Sequence, residues 1–140
     1  MVSTNPGAAP GPIAKIASGG ELSRFLLALK VVLAEISPVP TLVFDEVDSG
    51  IGGATADAVG ERLARLAQAR QVLVVTHSPQ VAARAGHHWQ VSKETSDKDA
   101  LTRVSALDRE TRREEVARML SGATVTEEAR AQAERLMDAV

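Results

Sequence analysis

A chain of 140 residues with 44% hydrophobic and 24% charged side chains has the make-up of one ordinary globular domain or of part of one. Its formal net charge of -2 excludes nucleic-acid binding by bulk positive charge, so any DNA contact falls to a local patch or to another part of a larger protein. The lack of cysteine excludes a disulfide framework and thiolate metal sites, and fits a reducing cytosol. Aromatics are 2% of the chain, so the core is expected to be aliphatic. The longest apolar region, Phe25 to Ile36, is broken by Lys30 and Glu35 and is no membrane span, and the N-terminus lacks the pattern of a signal peptide.

Residues 1–12 hold Asn5, Pro6, Gly7, Pro10, Gly11 and Pro12 and read as a loop or disordered lead-in, with Met1 an introduced start rather than the natural beginning of a domain. Ser18-Gly19-Gly20 opens a helix over Glu21 to Ile36, with Leu22, Phe25, Leu26, Leu29, Val32, Leu33 and Ile36 at helical spacing. Ser37-Pro38 stops it. Thr41 to Phe44 is an apolar run that reads as a strand buried on both faces. A glycine-rich turn spans Asp48 to Gly53. A helix follows over Ala54 to Ala69, with Val59, Leu63 and Leu66 on one face. Gln71 to Thr76 repeats the buried-strand pattern, and a short helix runs from Pro79 to about Arg84. Strands are expected at Trp89 to Lys93 and Leu101 to Leu107, around a polar turn at Glu94 to Asp99. Helices over Arg112 to Leu120 and Thr126 to Ala139, separated by Ser121-Gly122, complete the chain. The alternation is that of an α/β domain, with too few strands for a complete doubly wound sheet.

Four features carry chemistry. Thr41 to Glu46 delivers two adjacent carboxylates, Asp45 and Glu46, to the C-terminal end of a buried strand, where open α/β sheets bind ligands. Asp45 suits Mg²⁺ and Glu46 suits polarising a water; the plain alternative is an acidic strand end at the solvent boundary. Ser18-Gly19-Gly20-Glu21 opens a helix whose free N–H groups suit a phosphate, although alone it reads better as a plain helix start capped by Ser18 or a neighbour. His77 follows the second buried strand on the same sheet edge, and by itself reads as an exposed loop histidine. Asp48-Ser49-Gly50 is an interaction turn or simply a turn.

Four separate structural explanations do not account for the joint order of these features. Ser18 to Glu21 resembles the signature motif of ATP-binding-cassette (ABC) ATPases, Thr41 to Glu46 the Walker B strand, Asp48 to Gly50 the D-loop, and His77 the switch histidine. The chain resembles most the RecN family, bacterial DNA-repair relatives of the structural-maintenance-of-chromosomes (SMC) proteins. The stretches that carry this are Ser3 to Gly7, Lys15 to Arg24, Leu27 to Lys30, Val43 to Asp48, Gln71 to His77, Pro79 to Ala83 and Val91 to Lys93. The resemblance covers nearly the whole chain, more loosely after Glu94.

The resemblance implies that residues 13–140 are the C-terminal half of an ABC/SMC-type P-loop NTPase head, an incomplete parallel sheet flanked by helices. The motif G-x-x-x-x-G-K-[ST] does not occur in the chain, so the phosphate cradle is expected on an N-terminal half of the same head. By resemblance, Asp45 completes a Mg²⁺ site, Glu46 is the catalytic base and His77 contacts the γ-phosphate of ATP. Ser18, Gly19, Gly20 and Glu21 belong to the signature that caps the ATP of an opposite head in a homodimer, and Asp48 lies at the dimer seam. The implied biology is ATP hydrolysis in DNA double-strand-break repair and recombination, in the bacterial cytosol near the nucleoid, with DNA reached through the full-length protein and no membrane involved. The chain alone is expected to be inactive and to self-associate through its exposed sheet.

Three other readings compete: the head half of another SMC-like protein, a non-catalytic dimerisation or interaction module, and a direct DNA-binding domain. The last rests on Arg109, Arg112, Arg113 and Arg118, but Glu110, Glu114 and Glu115 interleave with them, and a solvated helix face with i, i+4 pairs explains the cluster better. His87 and His88 suggest a metal pair only weakly, with no carboxylate or cysteine beside them.

Overall fold

The computed structural model describes residues 28–29, 31–34, 38–45, 48–95 and 100–139. It divides into two compact units, Met1–Thr76 and His77–Val140.

In the first unit, residues 28–29 and 31–34 are helical, within the helix expected over residues 21–36, whose remainder lies outside the described residues. Val31 and Ala34 are buried, whereas Leu29, Val32 and Leu33, expected on the apolar face, are exposed. Arg70 Nη1 donates to the Ala34 carbonyl at 2.8 Å and ties this segment to the chain entering the second strand.

Strand β1 (Thr41–Asp45) pairs in parallel with β2 (Gln71–Val75), from Thr41 opposite Gln71 to Asp45 opposite Val75. The connection contains helix α1 (Gly53–Leu66), as a parallel pair requires. Its buried stripe is Ala56, Gly60, Leu63 and Leu66, three to four residues apart. Val59, expected on this face, is only half-buried. Neither strand is buried on both faces: Phe44 is covered, but Val43 is 67% exposed and Leu73 and Val75 are exposed. Burial on both faces requires further strands and covering helices, and among the described residues this sheet has only its two strands.

In the second unit, the short helix α2 (Pro79–Ala83) starts at Ser78, whose hydroxyl accepts from the Val81 N–H, with Pro79 in the first turn. Strands β3 (Trp89–Thr95) and β4 (Ala100–Ala106) form an antiparallel pair. Helix α3 (Arg109–Ser121) is capped by Asp108, which accepts from Thr111 N–H at 2.9 Å, and ends at Gly122, whose φ of 79° is open to glycine at little cost. Helix α4 (Glu127–Asp138) is capped by Thr126, which accepts from Ala129 N–H at 3.2 Å.

The core of this unit is built from Ala83, Val116, Ala117, Ala129, Ala133 and Met137, with Leu120, Val125 and Leu136 packed around them. The alanines at 129 and 133 lie one turn apart, and with Ala117 they let α3 and α4 approach closely. Across this contact Arg109 reaches Glu134 and Asp138, both at 2.7 Å, and Arg130 reaches Glu114 at 2.8 Å. The basic cluster therefore pairs mainly between helices rather than at i, i+4 along one helix, with Arg118 to Glu115 an i, i+3 pair within α3. Among the described residues, no helix is long and apolar enough to cross a membrane.

Candidate functional site

Strand β1 carries Asp45 as its last residue, exposed at the C-terminal edge of the parallel pair. The register sets it level with Val75, the last residue of β2. The two strands thus end level at one edge, β1 at Asp45 and β2 at Val75, with Thr76 next along the chain. Glu46 lies outside the described residues, as do Ser18, Gly19, Gly20 and Glu21.

Beyond β1 the backbone turns sharply. The Ile51 N–H donates to the Asp48 carbonyl at 3.1 Å, and Gly50 has a φ of 77°. This turn points the Asp48 side chain inward, where the residue is 6% exposed. A buried carboxylate needs hydrogen-bond partners, and Thr76 supplies one: its hydroxyl donates to Asp48 Oδ2. The glycine-rich turn after β1 is thereby fastened to the first residue past β2.

His77 is exposed and directly precedes Ser78, the cap of α2. Asp45, an exposed carboxylate on a rigid strand end, offers a hard oxygen donor. Among the described residues, no three His, Cys, Asp or Glu side chains cluster as a metal site. A single carboxylate completed by phosphate and water oxygens is a usual arrangement for Mg²⁺, and Asp45 fits it.

Two further features were not legible from spacing. Thr76 was not among the expected site residues, although a hydroxyl directly after an apolar strand was the available signal. Arg112 was assigned to a solvated face, yet its Nη2 donates to the carbonyls of Ala82 at 3.2 Å, Ala83 at 2.8 Å and Ala85 at 2.5 Å. These carbonyls lie at or just past the end of α2, where a helix leaves oxygens short of donors and a cation serves them well, although Ala82 also accepts the Ala85 N–H at 3.3 Å. Beside this contact, a cleft of about 380 Å³ is lined by His87, His88, Asp108 and Arg109 among others. Burial lowers the His88 pKa, the neighbouring Arg112 guanidinium lowers it further, and Glu115 partly opposes them. His88 Nδ1 is buried with no hydrogen-bond partner. The histidine pair precedes β3, and among the described residues no third ligand joins it.

No protein-family model matches the chain. Among curated proteins, the DNA repair protein RecN of Xylella fastidiosa is 51% identical over 137 residues, which are 98% of this chain and 25% of that protein. RecN of Deinococcus radiodurans is 56% identical over 122 residues, 87% of this chain and 21% of that protein. RecN of Streptomyces coelicolor is 51% identical over 138 residues, 99% and 24% respectively. The chain therefore spans about a quarter of the length of the curated relatives it matches, in their C-terminal part.

Solved structures are similar as well, among them two SMC proteins. One, from structural biochemistry of ATP-driven dimerization and DNA-stimulated activation of SMC ATPases, has a TM-score of 0.67 at 22% identity, covering 84% of this chain and 70% of that one. The other, the SMC head domain from Thermotoga maritima, has a TM-score of 0.55 at 29% identity, covering 67% and 34%. The fold is that of the C-terminal lobe of an SMC-type head.

Proposed function

Because the chain belongs with the C-terminal part of the RecN family, we propose that it supplies the Walker B, D-loop, switch and signature residues of an ATPase head, and that the head hydrolyses ATP only when a P-loop half joins it. The observation that carries this reading is the β1–β2 register, which ends β1 at Asp45 level with the end of β2 at Val75, on one sheet edge. Parallel sheets bind their ligands at this edge.

In this reading Asp45 holds Mg²⁺, which when bound neutralises charge on the phosphate oxygens of ATP. Glu46 orients a water in line with the γ-phosphorus and accepts its proton. As the water oxygen bonds to phosphorus, the bond to the bridging oxygen breaks, and ADP and inorganic phosphate result. His77 donates a hydrogen bond to the γ-phosphate as charge redistributes over its oxygens. Little covalent work falls to the protein; positioning and charge stabilisation lower the barrier. Ser18, Gly19, Gly20 and Glu21 act on the nucleotide of a second head, where free N–H groups at a helix start meet phosphate. Dimerisation through nucleotide, and DNA repair through the complete protein, follow from the same family reading.

The test mixes this chain with the separately expressed P-loop half of the same protein. Hydrolysis of ATP in the mixture, absent from either half and abolished by Glu46→Gln, is the expected result. Association of the halves without hydrolysis would favour a non-catalytic interaction module instead.

A further inference from the structure

We infer that Asp48 is a positioning residue acting within its own head: through the Thr76 hydroxyl it fixes the exit of β2, and so the backbone that leads into His77. The inference rests on the proposed ATPase function and adds a role for a hydrogen bond that the motif order does not foretell.

Three observations carry it. Asp48 is almost wholly buried, which its place in an exposed-looking Asp-Ser-Gly turn would not suggest. Its carboxylate accepts the Thr76 hydroxyl, joining residues 28 apart in sequence. The turn that aims it inward is closed by the Ile51-to-Asp48 backbone bond and by the positive φ of Gly50. Thr76 is the residue between the end of β2 and His77, so a constraint on its side chain limits the backbone torsions that set the start of the next residue. A histidine that must meet one phosphate oxygen gains from such a limit, because misplacement by about 1 Å can cost on the order of a hundredfold in rate. The bond also links the turn after the Walker B carboxylates to the switch segment, so that a displacement of the turn is felt at β2's exit.

The test uses the full-length protein and measures kcat and KM for ATP in Asp48→Ala, Asp48→Asn, Thr76→Val, Thr76→Ser and the Asp48→Ala/Thr76→Val pair, with thermal unfolding recorded for each. Thr76→Val keeps the side-chain volume, so it reads the bond even where Asp48→Ala loosens the turn. Expected are a fall in kcat of roughly tenfold or more for Thr76→Val and Asp48→Ala, with KM within about twofold. Recovery is expected in Thr76→Ser, which keeps the donor, and in Asp48→Asn, which keeps an acceptor oxygen. The double variant should be no slower than the slower single one. Multiplicative losses in the double variant, or a wild-type kcat in folded Thr76→Val, would overturn the inference while leaving Glu46-dependent hydrolysis intact. Absence of Glu46-dependent hydrolysis in the unsubstituted protein would overturn the ATPase reading, and this inference with it.

Discussion

Asp45 stands directly opposite Val75 in the parallel register of β1 and β2. The two strands therefore end together, and an exposed carboxylate occupies the end of one of them. Because Asp45 is exposed, its replacement by Asn should leave folding intact while removing the negative charge that a cation ligand needs. In the full-length protein, Asp45→Asn is expected to lower ATP hydrolysis by about a hundredfold and to raise the Mg²⁺ concentration needed for half-maximal rate. Steady-state hydrolysis across a Mg²⁺ titration checks this; an unchanged Mg²⁺ dependence would remove Asp45 from the site.

Arg112 is predicted to matter for stability rather than for binding. Its Nη2 serves three carbonyls around the end of α2, of which, among the described residues, only that of Ala82 is also seen to accept a backbone N–H, from Ala85. Arg112→Met keeps the aliphatic stem but removes the donor, and should destabilise the chain by about 2 kcal/mol. Denaturant unfolding reads this as a lower midpoint at unchanged slope. Val116, fully buried where α3 meets α4, gives the comparison: Val116→Ala should cost about the same through lost packing.

His88 sets a pH dependence whose sign is fixed by its surroundings. Burial and Arg112 hold its pKa below the ordinary value of 6.5, with Glu115 the opposing charge, and His87, Asp108 and Arg109 also line the cleft. Folding thus favours the neutral imidazole. Its contribution is fully present above about pH 6.5 and is lost as pH falls toward the folded-state value. Glu115, whose pKa is lowered chiefly by its bond to Arg118, acts separately at lower pH, losing its contribution below the ordinary carboxyl range. The unfolding midpoint should decline from about pH 7 to about pH 5, and His88→Gln should flatten that decline. A slope unchanged by His88→Gln would show that another group titrates there.

The hairpin predicts association. Trp89 lies opposite Ala106, and Val91 opposite Val104, so that these four side chains share one face. Trp89 is 59% exposed and Val91 66%, with Val104 exposed beside them. Exposed apolar faces on sheets drive self-association. The isolated chain should therefore show concentration-dependent light scattering, and Val91→Thr with Val104→Thr should reduce it while shifting stability by only about 0.5 kcal/mol. Equal scattering from this variant would place the contact elsewhere, for instance on the exposed Val43 and Val75 of β1 and β2.

Much of this structure was legible from pattern. The short apolar runs at Thr41 and Gln71 became strands, and helices begin beside Pro79 and Thr126 as expected, whereas α3 starts at Arg109 rather than Arg112 because Asp108 caps it. Gly122 marks the end of α3 because it alone there takes a positive φ cheaply. The expected hairpin is present, displaced by a residue or two at its ends. Burial was less legible. An apolar run reads as covered on both faces, but coverage is a property of neighbours, and Val43 is exposed. The interleaved Arg and Glu residues of α3 matched an i, i+4 pattern, yet their partners lie largely on α4, since charge spacing along one helix carries no information about the helix packed beside it.

The sequence by itself determined the element order, the Asp45-Glu46 strand end and the motif order that points to one half of a nucleotide-binding head, because all of these depend on residues close in the chain. Only the tertiary structure decided that Asp45 ends level with Val75, that Asp48 turns inward to accept the Thr76 hydroxyl, and that Arg112 caps α2 instead of facing solvent. These join residues roughly 30 positions apart, and such pairings are selected by the packing of whole elements, which local spacing does not encode.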